Sequence, residues 1–185
     1  MSDTAQTPEA PRPHVLIVDD EDGVRSAIRR TLRKEPYRIS EASSALEALE
    51  TMKSDPPDLV VTDHLMPQMT GLELLRRMRF MHNDVARILL TGQAELETVV
   101  AAINDGEVFR FLRKPWDDTE LKLSIHMALE QQRTERENRR LLELLRAQAD
   151  VIRTLERAHP GIATIRRDDS GAIVITEEEL AQLGG

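Results

Sequence analysis

Five times between residues 14 and 112 a short apolar run of strand length appears, and after each of the first four comes a segment with apolar residues at helical spacing. This alternation constrains the chain more than any other feature. The expected strands are 14–19 (HVLIVD), 37–41 (YRISE), 58–62 (DLVVT), 86–90 (ARILL) and 108–112 (VFRFL). Helices are expected near 22–34, 44–53, 70–79 and 94–104, with a much longer one starting after Trp116. Parallel neighbours need right-handed crossover connections, so the pattern implies an α/β fold: a five-stranded parallel doubly wound sheet with helices on both faces.

In such sheets ligands bind beyond the carboxyl ends of the strands, where the strand order reverses. The first expected strand runs into Asp19, Asp20 and Glu21, the third into Thr62 and Asp63, the fourth into Thr91, and the fifth leads to Lys114. Acid, hydroxyl and cation therefore share one rim. Each has a plainer reading taken alone: Asp-Asp after a strand is also a turn and helix cap, Thr91-Gly92 a turn, and Lys114-Pro115 a surface loop. Their conjunction at four strand ends favours a site.

Close carboxylate pairs repel by up to about 4 kcal/mol at an effective dielectric near 20, unless a cation joins them. Mg²⁺ suits the set, since it takes one or two carboxylates, a carbonyl and waters and leaves positions for phosphate oxygens. Lys114 supplies a mobile ammonium and Thr91 a hydroxyl for phosphoryl oxygens. Asp63 is left as the nucleophile, a carboxylate that forms an acyl phosphate.

The residues Asp19-Asp20 after VLIV, VVTDHLMPQMTG around Asp63, LLTG at Thr91 and FLRKPW at Lys114 resemble the receiver domains of two-component response regulators. The gaps of 44, 28 and 23 residues between Asp19, Asp63, Thr91 and Lys114 are similar to that family's. The resemblance covers residues 14–128 and implies a flavodoxin-like receiver fold. It implies that Asp63 is the phosphoacceptor, taking its phosphoryl group from a phosphohistidine on a sensor histidine kinase or phosphotransfer protein. Asp20 and Asp63 would hold Mg²⁺, with Asp19 assisting through water and the Leu65 backbone carbonyl completing the protein ligands. Lys114 would bond the phosphoryl group, Thr91 would move toward it, and the aromatic Phe111 would swing inward behind it. Phe111 stands where tyrosine also occurs, so a switch hydroxyl is absent. Such a protein is a phosphoacceptor promoting its own phosphorylation and dephosphorylation, outside the ordinary enzyme classes.

Pro67 and Gly71 match the family's turn after the phosphoacceptor, where glycine permits backbone that other residues resist. Strand alternation places His64 away from Asp63, as a histidine on the solvent rim. Leu65 and Gln93, two residues past Asp63 and Thr91, flank the expected phosphoryl position. Neither G-x-G-x-x-G nor a P-loop occurs among the eight glycines. A haloacid-dehalogenase-like phosphatase carries a second Asp two residues after its nucleophile, a position occupied here by Leu65.

Residues 1–13 read as a disordered leader with Pro8, Pro11 and Pro13. Beyond residue 128 the chain continues without Gly or Pro to Pro160, so a helix from 117 to 158 would be about 60 Å long. Within the extension at 129–159, Gln131 to Arg140 is polar on every face. Leu141, Leu145, Gln148, Ile152 and Leu155 then form a short heptad seam. A seam needs a partner, and the simplest is a second copy in a parallel coiled-coil homodimer; the alternative is folding back on the chain's own receiver. Residues 160–185 read as a β-hairpin, 162–167 and 172–176 about Asp168-Asp169-Ser170-Gly171, followed by a short helix at 177–183. A hairpin of that size must pack on something, so dimerisation or docking of a downstream protein target is expected.

Lys and Arg number 25 against 33 Asp and Glu, a net charge of −8, with no basic block to neutralise phosphates. The charge balance therefore speaks against nucleic acid as a partner. A transcription regulator using the tail on DNA, and a phosphorelay intermediate or phosphate sink, are the alternative functions. The stretch KPWDDTEL is similar to receivers attached to cyclic-dinucleotide phosphodiesterases or transcriptional activators, which assigns no output here. No cysteine is present, excluding disulfides and thiol chemistry and suiting a cytoplasmic protein. No apolar run approaches the ~20 residues of a membrane span.

Overall fold

The computed structural model describes residues 12–82, 84–92 and 108–159. Five strands form one parallel sheet: β1 (His14–Val18), β2 (Arg38–Ala42), β3 (Leu59–Asp63), β4 (Ala86–Thr91) and β5 (Arg110–Arg113). Helices α1 (Asp22–Leu32), α2 (Ala45–Ser54), α3 (Gly71–Met81) and α4 (Asp118–Ala158) complete the described elements. The helix expected at 94–104, Gln93, the leader up to residue 11 and the hairpin at 160–185 lie outside the described residues.

Strand order is β2-β1-β3-β4-β5, so the order reverses between β1 and β3. Every residue of β1 and β3 is buried, as befits central strands covered on both faces. Alternation then sends neighbours to opposite layers. Leu16, Val18, Val60 and Leu89 join one core with Met52 of α2 and Leu74, Leu75 and Met78 of α3. Val15, Ile17, Leu59, Val61, Ile88 and Leu90 join the other, with Ile28 and Leu32 of α1 and Leu121, Ile125, Ala128 and Leu129 of α4.

Helix starts follow local chemistry. Ser44 caps α2 by accepting from Glu47 N. Thr70 and Glu73 form a reciprocal capping box on α3. Asp117 Oδ1 accepts from the backbone N–H groups of Thr119 and Glu120 at 2.9 and 3.0 Å, opening α4.

α4 is one unbroken helix of 41 residues. The chain divides into two compact units between Arg136 and Glu137, later than residue 128. Leu129 packs on the sheet with Leu121, Ile125 and Ala128. Within 131–140, polar on every face in the sequence, Gln132 is nonetheless buried, and Arg136 donates to Asp58 Oδ1 at 2.6 Å and to the Asp84 carbonyl at 3.0 Å. In the second unit, Leu141, Leu142, Leu144, Leu145, Val151, Ile152 and Leu155 are all exposed. No helix among the described residues is long and apolar enough to cross a membrane.

Candidate functional site

The carboxyl ends of β1 and β3 bring Asp19 and Asp63 side by side at the point where strand order reverses. Asp19 is completely buried and Asp63 nearly so, while Asp20 is exposed. Ligand oxygens of the three carboxylates all lie within 4.8 Å of one another. Such a set fits a hard divalent cation that takes oxygen ligands and keeps a solvent side.

Lys114, after β5, reaches back to this cluster. Its Nζ donates to Asp19 Oδ2 at 2.9 Å and lies 2.7 Å from Asp63 Oδ1. Burial alone would lower the ammonium's pKa; its bonds to Asp63 and Asp19 outweigh that and hold it above the usual lysine value. Burial pushes Asp19 up, opposed by the bond from Lys114 and the one from Glu21 N. Among the described residues one cation, Lys114, faces three carboxylates, which leaves the cluster with excess negative charge.

Asp19 is fixed from every side. Its Oδ1 accepts from Glu21 N at 2.9 Å, so it makes the local turn of the plainer reading, while its Oδ2 is engaged by Lys114. The cap position of α1 belongs to Glu21, which makes no side-chain cap bond. Arg25 Nη1 donates to the Asp19 carbonyl at 2.6 Å, and the same guanidinium meets Asp22 and Glu41. Arg25 is a supporting residue that the sequence does not reveal, because no spacing rule links one helix turn to the preceding strand's last carbonyl.

Thr91 ends β4, is fully buried, and its hydroxyl donates to Gly92 O at 3.3 Å. Lys114 N donates to Thr91 O at 2.8 Å, tying the hydroxyl-bearing strand end to the lysine loop. The peptide between Lys114 and Pro115 is cis. Phe111 is half-buried against the core layer that holds Leu16 and Leu89. Leu65 lies two residues past Asp63 with its side chain exposed.

Two sequence expectations need correction. His64 is buried, 7% exposed, with Nδ1 lacking a hydrogen-bond partner among the described residues, and is not a solvent-rim residue. The loop folds back over it: Met66 and Met69 enter the core, His64 N donates to Leu90 O, and Gly71 N donates to His64 O. Gly71, in turn, is required by proximity and not by a left-handed backbone. A Cβ there would sit 1.9 Å from the Asp63 carbonyl oxygen. In this loop the positive φ, 68°, belongs to Gln68.

A family model for the response regulator receiver domain matches residues 15–126. The hydrogenase transcriptional regulatory protein HoxA of Cupriavidus necator is 33% identical over 139 residues, which cover 75% of this chain and 29% of that protein. Sporulation initiation phosphotransferase F of Bacillus subtilis is 33% identical over 108 residues, 58% of this chain and 86% of that protein. The signal receiver domain of an HD domain-containing protein from Pseudomonas fluorescens Pf-5 superposes with a TM-score of 0.64 at 40% identity, covering 67% of this chain and 99% of that one. This chain spans less than a third of the length of several regulatory proteins it matches.

Proposed function

The chain belongs to the response regulator receiver domain family, and from that premise we propose that Asp63 accepts a phosphoryl group from a phosphohistidine of a sensor kinase or phosphotransfer protein. The observation that carries this reading is the convergence of Asp19, Asp20 and Asp63 about Lys114 Nζ. An oxygen of the Asp63 carboxylate attacks phosphorus, the P–N bond of the donor breaks, and the imidazole leaves with a proton. The product is an acyl phosphate.

Asp19, Asp20 and Asp63, with the Leu65 carbonyl, would hold Mg²⁺. Its charge offsets that of the carboxylates and of the phosphoryl oxygens. Lys114 keeps its bond to Asp19 and exchanges Asp63 Oδ1 for a phosphoryl oxygen. Thr91 turns its hydroxyl from Gly92 O to the phosphoryl group, and Phe111 follows into the space behind it. Asp19 is set by its bonds to Lys114 and Glu21 and serves as a fixed positioning carboxylate.

Output is assigned to the helical extension, whose exposed seam from Leu141 to Leu155 pairs with a second copy or a downstream protein. A DNA-binding regulator stands as an equal second reading, because a relative aligned over 75% of this chain is named a transcriptional regulatory protein. A phosphorelay intermediate is a third, favoured by the match over most of the Bacillus phosphotransferase.

Incubation with Mg²⁺ and acetyl phosphate followed by intact mass tests the core claim. One added phosphoryl group on the wild type and none on Asp63→Ala is expected; no gain on the wild type refutes it. Truncation after Arg136 with light scattering tests the extension, since a dimer that survives unchanged moves the interface to the receiver. Filter binding to DNA at low salt separates the second reading from the first.

A further inference from the structure

At the end of the sheet opposite Asp63, a cavity of about 500 Å³ opens between the last turn of α3, the segments entering β4 and β5, and α4. Its size falls in the range of small-molecule sites. Arg79, Arg87, Phe109, Gln131, Gln132 and Glu135 contribute to its wall, beside aliphatic side chains. Among the described residues, the charged groups of the lining are the guanidiniums of Arg79 and Arg87 and the carboxylate of Glu135.

Gln132 marks the cavity as more than a packing gap. It is only 7% exposed, and its amide Nε2 is buried with no hydrogen-bond partner among the described residues. Buried amide donors are normally bonded, and one left open at a cavity wall is accounted for when a ligand supplies the acceptor. The donor set then names the ligand. A guanidinium offers a planar fork of N–H groups that matches a carboxylate, an amide N–H adds a third donor, and Phe109 with its aliphatic neighbours takes an apolar body.

We propose that this cavity binds a small organic carboxylate, its oxygens toward Arg87 and Gln132 and its apolar part against Phe109. Three of the named wall residues, Gln131, Gln132 and Glu135, lie on α4 just before Glu137, where the second unit begins. Occupancy would therefore brace the same helix that the phosphorylation site is proposed to control, as a separate input. The inference does not rest on phosphoryl transfer.

The test is titration of the full chain with benzoate, an aromatic carboxylate, and with butyrate, an aliphatic one. Binding is followed by calorimetry and unfolding temperature at constant ionic strength, with sodium chloride as reference. Saturable one-to-one binding of at least one carboxylate is expected, weakened tenfold or more in Gln132→Leu and in Arg87→Gln and unchanged in Asp63→Ala. Gln132→Leu should keep the ligand-free unfolding temperature of the wild type, since it removes a donor that has no partner. A ligand-free unfolding temperature that falls clearly in that variant, no saturable binding of either carboxylate, wild-type affinity in either cavity variant, or equally tight binding of inorganic phosphate titrated in parallel overturns the proposal.

Discussion

Gly71→Ala should damage both the fold and the site, for a reason read directly from the backbone. The added Cβ would lie 1.9 Å from the Asp63 carbonyl oxygen, 2.9 Å from its carbonyl carbon and 3.1 Å from Leu89 Cδ1. Real Cβ atoms essentially never come closer than 3.0 Å, so α3 and the end of β3 must separate by about 1.1 Å. Neither partner yields easily. The carbonyl belongs to a central strand, and Gly71 N is itself bonded to His64 O at 2.9 Å. Overpacking of a close-packed interior costs about 1–3 kcal/mol, and backbone against backbone belongs at the upper end. For a unit of this size, about 3 kcal/mol lowers the unfolding temperature by roughly 10 °C. The same shift moves Asp63 relative to Lys114 Nζ, and a misplacement of about 1 Å costs on the order of 100-fold in rate. Gly23→Ala is the matched control: nothing lies within 4 Å of its Cβ, and in α1 the change should stabilise by about 0.5–1 kcal/mol. Thermal unfolding by circular dichroism and phosphoryl gain from acetyl phosphate with Mg²⁺ read the two effects. If Gly71→Ala behaves like Gly23→Ala, with an unchanged rate, the steric argument fails.

Lys114→Met removes the cation between Asp19 and Asp63, so the metal-free protein should unfold at lower temperature and gain more from added Mg²⁺ than the wild type; equal Mg²⁺ gains in a thermal melt count against the pairing. Burial, with Arg38 beside it, holds the His14 pKa below the ordinary histidine value, against Asp55 and Asp58. The unfolded chain then binds a proton that the folded one refuses, so His14 erodes stability as pH falls from about 6.5 toward its folded pKa, and has no effect above. His14→Gln should flatten that part of the urea-unfolding profile between pH 5 and 8, and parallel profiles contradict it. Thr70→Ala removes one half of the capping box on α3 and should cost about 1 kcal/mol in denaturant unfolding, against no change if the cap is idle.

The sequence reached as far as periodicity and local chemistry reach. Runs such as VLIV at 15–18 and LVV at 59–61 have no polar alternation and therefore declare strands buried on both faces. Helix positions near 44–53 and 70–79 followed from apolar spacing, and the structure adds the side-chain bonds of Ser44, Thr70 with Glu73, and Asp117 that open α2, α3 and α4. Strand ends shifted by one or two residues, as at Arg113 and Ala42, because ladder bonds decide where a strand stops.

Only the tertiary structure decided which groups share space across long stretches of chain. It brought Lys114 to Asp19 across 95 positions, put Arg25 on the Asp19 carbonyl, and pressed Gly71 against Asp63. It also buried His64 and Gln132, two polar residues that pattern alone places at the surface. The division has a physical cause. Hydrophobic periodicity and capping are properties of segments and can be read from residue order. Burial of a polar atom, or the approach of one backbone to another, depends on how separate segments pack, and a linear pattern carries that information only where a whole constellation of residues recurs together.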